Sequence, residues 1–471
     1  MDNVVFNDDN EVFAELSEKF AQRNVIDPVY FEKFPVKKGL RNADGTGVMA
    51  GLTKICNVEG YYIDDGERIP KEGRLIYRGV NLYDLVAGCK ADDRFGFEEV
   101  VYLLIFGCLP DEKELARFCG LLSENRELPF DFVEDVIMRA PSPNIMNKMG
   151  SSVTALYAYD ENPDDISVEN VLRQSIKLIA ELPAIMSYAY QVKRRYFYKK
   201  SMYIHPIKPE QRTAEVVLNS LRSDRKFTDK EAKLLDLCLM IHADHGGGNN
   251  STFTTRCVTS TGTDTYSAIG AGIGSLKGFR HGGANIKVSE MVKEISENVT
   301  DLNDEDAVKA YLHKIVRREA GDGSGLIYGM GHAVYTLSDP RAVLLKANAK
   351  ELAEERGLLS EWKLLDTIER LAPAVFCEEK GINKKICANV DLYSGLVYKT
   401  LGIPEDLYTP MFAMARVAGW CAHRLEEIAT SGKIMRPAYK NIVLPQDYVP
   451  LTERAENKKA APKAYIPKDE R

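Results

Sequence analysis

No hydrophobic run in this chain is long enough to cross a membrane. The longest, Val100 to Phe106, falls far short of the roughly 20 apolar residues that a spanning helix needs. Nor is there a strong charge of either sign: 62 Lys+Arg stand against 69 Asp+Glu, for a formal net charge of −7. That balance excludes a general electrostatic pull on nucleic acid or anionic membrane, so an anionic ligand must be attracted by a few local cations. None of the nine cysteines (Cys56, Cys89, Cys108, Cys119, Cys238, Cys257, Cys377, Cys387 and Cys421) falls in a CxxC pair. An odd count without a secretory signal reads as reduced thiols. The acidic start MDNVVFNDDNEVFAEL is unlike an Arg-rich, acid-poor mitochondrial leader, so the expected location is cytoplasmic. There is no internal repeat or low-complexity linker, and strand signals are few.

What the chain does contain is mostly helix. Its 471 residues, 45% hydrophobic and 28% charged, are ordinary for a soluble protein and sufficient for two domains. In PDEKELARFCGLL, Asp111 caps with Glu114 three residues on, and Leu115, Phe118, Cys119 and Leu122 form an apolar stripe at helical spacing. In FTDKEAKLLDLCLMIHADH, Thr228 and Glu231 form a capping box, and the helix delivers His242 and His245 near its C-terminal end. The Ala- and Gly-rich stretch Tyr266 to Lys277 is a helix only if it packs closely on another backbone, at a subunit interface or in the core. ICNVEGYYIDDGERIP and EGRLIYRG suggest one small hairpin. After about Asp447 the polar ENKKAAPKAYIPKDER reads as a tail. The fold class is mainly α.

Four of the seven histidines, His242, His245, His281 and His332, stand close together in sequence, three of them in unusual surroundings: IHADHGGGNN, FRHGGAN and LIYGMGHAVYTLSDPR. Asp391 follows in NVDLYSG, Arg416 in FAMARVAGW and Arg436 in IMRPAY. Glycines beside a histidine let a ligand approach the backbone. His281 stands between the glycine-rich helix, which should stop near Gly278, and a new helix for which Asn285 is a natural cap. The positive end of that helix dipole lowers the histidine's pKa and keeps the imidazole neutral. Asp391, after the alternating Ile386, Ala388 and Val390, is expected at the end of a short extended segment. Taken singly, Asp391 reads as structural and Arg416 and Arg436 as surface charges. Taken together, these residues point to proton transfer on a substrate carrying several negative charges. The HADH spacing also offers His242, Asp244 and His245 to a metal, but it lacks a fourth ligand and an HExxH pattern, so no metal is expected.

In order and spacing, HGGAN, GxGHAV…DPR, NVDxYSG, FxxxRxxGW and RPxxxY resemble the motifs of the citrate synthase family. The stretch GLRNADGTGVMAGLTKICNVEGY…GRLIYRG resembles the family's N-terminal segment, so the likeness spans nearly the whole chain. It implies a two-domain all-helical fold: a large domain from residues 1–282 and 403–471, and a smaller inserted domain from 283–402. It also implies a homodimer that condenses acetyl-CoA with oxaloacetate and hydrolyses citryl-CoA to citrate and CoA. No cofactor is needed, acetyl-CoA being a substrate. Carried over residue by residue, the family's chemistry makes Asp391 the base for the methyl proton. His281 becomes the donor to the thioester oxygen, and His332 the partner of the keto oxygen. Arg341, Arg416 and Arg436 hold the carboxylates, with Arg436 reaching the partner subunit's site. His245 touches oxaloacetate, and Gly329, Met330 and Gly331 lie along CoA. The physics agrees: a carboxylate near its ordinary pKa of about 3.9 is a poor base for a C–H bond, so the enolate needs a preorganised donor. A dicarboxylate also calls for guanidinium forks.

Two departures are expected to leave the catalytic positions untouched. Ala333 stands where many bacterial relatives have arginine, and YYIDDGERIPKE lengthens the N-terminal region. KRRYFYKK (Lys193 to Lys200) reads as a solvated helix end rather than a phosphate site. Three rivals remain: a 2-methylcitrate synthase taking propionyl-CoA, since one methylene is worth only about 1–3 kcal/mol of discrimination; an inactive helical scaffold; and a metal-dependent hydrolase.

Overall fold

A computed structural model describes residues 10–42, 44–381, 385–430 and 432–454; the polar stretch from Glu456 onward lies outside them. The chain divides into two compact units. The first takes residues 1–49 and 436–471 and carries α1 (Asn10–Asn24) and the short α2 (Val29–Lys33).

The second unit, residues 50–435, opens with an antiparallel sheet of order β1-β2-β3 (Cys56–Asp64, Glu67–Tyr77, Val80–Asn81). The expected hairpin is β1–β2, paired from Cys56↔Tyr77 to Asp64↔Glu67. Its tip is Asp65-Gly66, both at positive φ (46° and 84°), the backbone that a two-residue turn between right-twisted strands demands. Helices follow: α3 (Leu82–Ala91), α4 (Phe97–Phe106), α5 (Glu112–Glu124), α6 (Ile145–Leu156), α7 (Val168–Tyr196), α8 (Thr213–Leu221), α9 (Asp229–His242), α10 (Asn250–Thr259) and α11 (Thr265–Lys277). After these come α12 (Ala284–Asn298), α13 (Glu305–Val316), α14 (Pro340–Glu355), α15 (Leu359–Lys380), α16 (Val390–Thr400) and α17 (Tyr408–Thr430). The mainly α expectation holds, and no helix among the described residues is long and apolar enough to cross a membrane.

The local signals read correctly where they were short-range. Both capping boxes, Asp111 with Glu114 and Thr228 with Glu231, are formed. α7 ends at Tyr196, leaving Arg195 to Lys200 exposed. The glycine-rich α11 lies against α10 and α6. A Cβ on Gly272 would stand 2.6 Å from Thr255 Oγ1, and one on Gly270 would stand 3.1 Å from Thr154 Oγ1, whereas Gly274 has nothing within 4 Å. The first two glycines therefore serve packing inside the unit.

The bonds of the lengthened hairpin go to the segment that follows His332. Thr336 Oγ1 donates to the Gly60 carbonyl (3.4 Å), Gly73 N donates to Ser338 Oγ (3.1 Å), and Ser338 Oγ bonds Glu72. The reason is two bare backbones. A Cβ on Gly60 would sit 2.5 Å from Val334 O, and one on Gly73 would sit 2.0 Å from Ser338 O. The hairpin is a wall for the segment that follows His332.

Candidate functional site

α9 stops at His242, and its last turn is held by α17. The His242 carbonyl accepts from Arg416 Nε at 2.6 Å, and the Ala243 carbonyl accepts from Gly419 N at 3.0 Å. Gly419 makes this approach possible, since a Cβ there would meet Asp244 Oδ1 at 2.3 Å. Asp244 is fully buried. Burial pushes its carboxyl up, but the contact with His423, the Arg416 charge and the Gly246 N–H (2.8 Å) outweigh that and hold it down at about 2. His423 faces Asp244 through Nε2 (3.4 Å), while its Nδ1 accepts from Arg256. Arg256 pairs in turn with Glu426 and Glu427. Asp244 is thus tied into a buried chain of charges. No three His, Cys, Asp or Glu among the described residues converge as metal ligands.

Beyond this support the chain presents His245, whose Nε2 lies 3.3 Å from Tyr335 Oη. The His245 ring stands edge-on to His332, with centroids 5.1 Å apart, and His332 stacks on Tyr335 at 4.6 Å. His332 Nδ1 accepts from the backbone N–H groups of both Val334 and Tyr335 at 3.1 Å. A neutral ring held this way carries its proton on Nε2, the form that donates to a ligand oxygen. His245 is kept neutral chiefly by burial, then by the charges of Arg341, His332 and Arg416, which push it well below the ordinary histidine range. Arg341 is buried and forked onto Asp339, Nε to Oδ1 at 3.0 Å and Nη2 to Oδ2 at 2.7 Å. Asp339 also caps α14, accepting from Arg341 N, with Pro340 at the first helical position.

His281 lies three residues before α12, and its Nε2 is 3.1 Å from both Asn249 Oδ1 and Ser251 Oγ. The ring is neutral as expected, but burial is the larger cause and the Arg416 charge follows, taking it down to about 4. Asn285 is not the cap. The helix starts one residue earlier, Gly283 occupies the cap position without a side-chain bond, and Asn285 is buried inside the first turn.

Asp391 also differs from expectation. The extended segment exists, but it ends at Asn389, and Asp391 is the second residue of α16, its N–H capped by Asn389 Oδ1 (3.0 Å). The Gly329–Met330–Gly331 loop clasps that segment. Met330 bridges Ala388, Gly331 N donates to Cys387 O (2.7 Å), and Asn389 N donates to Gly329 O (2.8 Å). Gly329 and Gly331 hold φ of 80° and 90°, and a Cβ on Gly329 would collide with Leu392 at 2.9 Å. The loop thus fixes where Asp391 stands. Burial raises the Asp391 carboxyl to about 6; Arg341 opposes this and Asp339 adds to it.

Arg416 is no surface charge. It is 0% exposed, lies over the Phe412 ring at 4.7 Å, and makes no ion pair among the described residues; Nη1 and Nη2 have no hydrogen-bond partner there. Burial lowers it to about 10, so it stays charged at neutral pH. His242 beside it is 0% exposed with both ring nitrogens unpartnered, and burial, ahead of Arg416 and Arg341, pushes it well below its usual range. Sequence reasoning weighed His242 only as a metal ligand and missed Tyr335, Asp339 and Asn389. The signal available for the last two was their cap position ahead of Arg341 and Asp391. Arg436 is exposed and belongs to the first unit.

Neutral imidazoles, a carboxyl raised toward neutrality and a buried cation with free donors define an acid–base site for an anionic substrate on a helical scaffold. The family model for the citrate synthase C-terminal domain matches residues 42–438. The citrate synthase of Haloferax volcanii is 32% identical over 89% of this chain and 99% of its own length, and citrate synthase 2 of Bacillus subtilis is 33% identical over 87% and 98%. The crystal structure of citrate synthase from Pyrobaculum aerophilum matches with a TM-score of 0.72 at 29% identity, over 91% of this chain and 97% of that one. A ternary complex of the Thermoplasma acidophilum enzyme with carboxymethyl coenzyme A and oxaloacetate matches at 0.71 and 25% identity, over 89% and 99%. The chain belongs to the citrate synthase family.

Proposed function

We propose that the protein condenses acetyl-CoA with oxaloacetate and hydrolyses citryl-CoA to citrate and CoA. The observation that carries this is Arg416: a guanidinium taken wholly out of water with Nη1 and Nη2 unpartnered requires an anion at that position. A substrate carboxylate supplies it. Arg341 offers its remaining guanidinium edge to the same ligand, and Arg436 completes the set from a second copy of the chain in a homodimer. His245 and the Nε2–H of His332 meet the keto oxygen, and His332 stabilises the alkoxide formed there. Asp391 removes the methyl proton of acetyl-CoA, while His281 donates to the thioester oxygen as it becomes an enolate. The Gly329–Gly331 loop lies along CoA, and residues 283–402 close over the ligands as the smaller domain, excluding water until condensation is complete. No metal or cofactor is required. The cytoplasm is the compartment that suits nine free thiols.

The test is thiol release by the purified protein. CoA should appear from acetyl-CoA only when oxaloacetate is added, and EDTA should change nothing. Release without oxaloacetate, loss of activity with chelator, or a kcat/KM favouring propionyl-CoA would each replace this reading.

A further inference from the structure

Behind Asp391 four helices converge, and three of them bring buried polar groups with no hydrogen-bond partner among the described residues. These are both ring nitrogens of His242 (α9), Asn285 Oδ1 (α12), and Ser394 Oγ and Tyr398 Oη (α16), none more than 2% exposed. Asp391, Ser394 and Tyr398 follow at i, i+3 and i+7 and so share one face of α16. Gly395 lets that helix lie on its neighbours: a Cβ there would be 3.2 Å from Ser289 Oγ, 3.5 Å from the Tyr408 ring and 3.8 Å from Asn285 O. The Tyr398 ring meets Tyr408 of α17 at 5.2 Å, and Tyr398 is pushed well above its ordinary range, chiefly by burial, with the Asp391 charge adding to it. Cys238 stands one turn before His242 on α9. The far end of α16, from Lys399 to Gly402, lines a surface cavity of about 720 Å³ shared with Thr228 and Glu231.

An unpartnered buried hydroxyl or amide is destabilising, and Ala in place of Ser394 or Phe in place of Tyr398 would fill nearly the same space without that cost. Interior water, which usually makes about three hydrogen bonds, would satisfy four such residues in one junction together. We infer that Ser394 and Tyr398, with His242 and Asn285 beside them, line a hydrated seam by which the proton taken up at Asp391 leaves toward the cavity at the end of α16. The inference rests on Asp391 being the base. The Asp391 carboxyl gives its proton to the first water, and each hydroxyl or water passes one proton on as it accepts another. Ser394 and Tyr398 end as they began, with one proton delivered outward and no electron moved. They are positioning residues, acting through Asp391 and not on the substrate.

The test separates taking the proton from losing it. In D2O, acetyl-CoA is incubated with the enzyme and malate, which has two carboxylates but no ketone to attack, and deuterium entering the methyl group is read by mass spectrometry. Wild type should incorporate label. Tyr398→Phe and Ser394→Ala should each slow incorporation about tenfold or more, a fraction of what losing a general base costs, with acetyl-CoA affinity unchanged. The first condensation with oxaloacetate, read by rapid quench as citryl-CoA plus citrate, needs only proton removal and should slow much less. Incorporation within twofold of wild type in both variants overturns the seam, as does equal slowing of the first condensation, which marks displacement of Asp391. If wild type incorporates no label while Asp391→Asn still releases CoA, the base assignment itself fails, and the seam with it.

Discussion

Asp391→Asn should remove activity and add stability. The amide keeps the shape of the side chain under the Asn389 cap but cannot accept a proton, so kcat should fall by about 10²–10⁴. The stability effect follows from burial, which raises the folded carboxyl to about 6 against the pull of Arg341; an unfolded one titrates near 3.9. Between those values the folded state holds a proton that the unfolded state has lost. The associated stability is therefore fully present below about pH 4 and is lost as pH rises through 6. About two pH units at 1.36 kcal/mol each make the loss about 3 kcal/mol. Asparagine, uncharged throughout, escapes it. Urea unfolding near pH 8 should find the variant more stable by up to that amount, and near pH 4 the two proteins should coincide. In the wild type, kcat/KM should rise with pH through a midpoint near 6, because only the ionised carboxyl accepts a proton. A variant less stable than wild type near pH 8, or a gap that persists near pH 4, would show that burial does not hold the carboxyl up. Near-normal kcat would take Asp391 out of the mechanism.

Arg341→Lys keeps the charge but loses the two-pronged grip on Asp339. Oxaloacetate KM should rise by an order of magnitude or more with acetyl-CoA affinity little changed; a fall in acetyl-CoA affinity instead would place Arg341 at the CoA site. Gly73→Ala forces the hairpin off Ser338, and a shift of about 1 Å behind His332 should cost kcat up to about 10²-fold; unchanged kcat would mean that the hairpin does not position His332. Arg436→Ala and Asp391→Asn should each be nearly inactive alone, yet verified mixed dimers from co-expression should recover about a quarter of wild-type activity, since half the dimers are mixed and each has one intact site. Inactive mixed dimers would confine Arg436 to its own chain or remove it from the site.

The features legible in the sequence were those whose physics is local. The capping boxes at Asp111 and Thr228 each need only a few consecutive residues, and the structure forms them. The motif order suggested which side chains belong together, but not what holds them. The bond from Arg416 Nε to the His242 carbonyl joins residues 174 apart, and no run of sequence near either announces it. The same applies to the hairpin. Gly60 and Gly73 look like ordinary strand interruptions until the 334–338 backbone is seen against them. Asn285 and Asp391 were each misplaced by a residue or two because a cap is decided by where the chain arrives from, which tertiary contacts set.

The largest change concerns how the chemistry is shared. Read from sequence, Asp391 is an ordinary carboxylate, and the whole burden of enolate formation falls on the donor at His281. In the folded chain two influences act on Asp391 in opposite directions. The first turn of α16 favours its charged form by roughly 0.3–1 kcal/mol, while burial favours the neutral form strongly enough to bring the pKa to about 6. Burial wins, and the Asp391 carboxylate is more basic than its residue type promises while still ionised at neutral pH. His281 moves the other way, down to about 4, so it remains a neutral donor over the pH range in which Asp391 is charged. The two groups titrate on opposite sides of their ordinary values for one reason: burial penalises whichever form carries charge. A single change that opened the surroundings of both groups to bulk solvent should therefore lower the Asp391 pKa and raise that of His281 at once, moving both limbs of the pH profile toward the values that isolated side chains show.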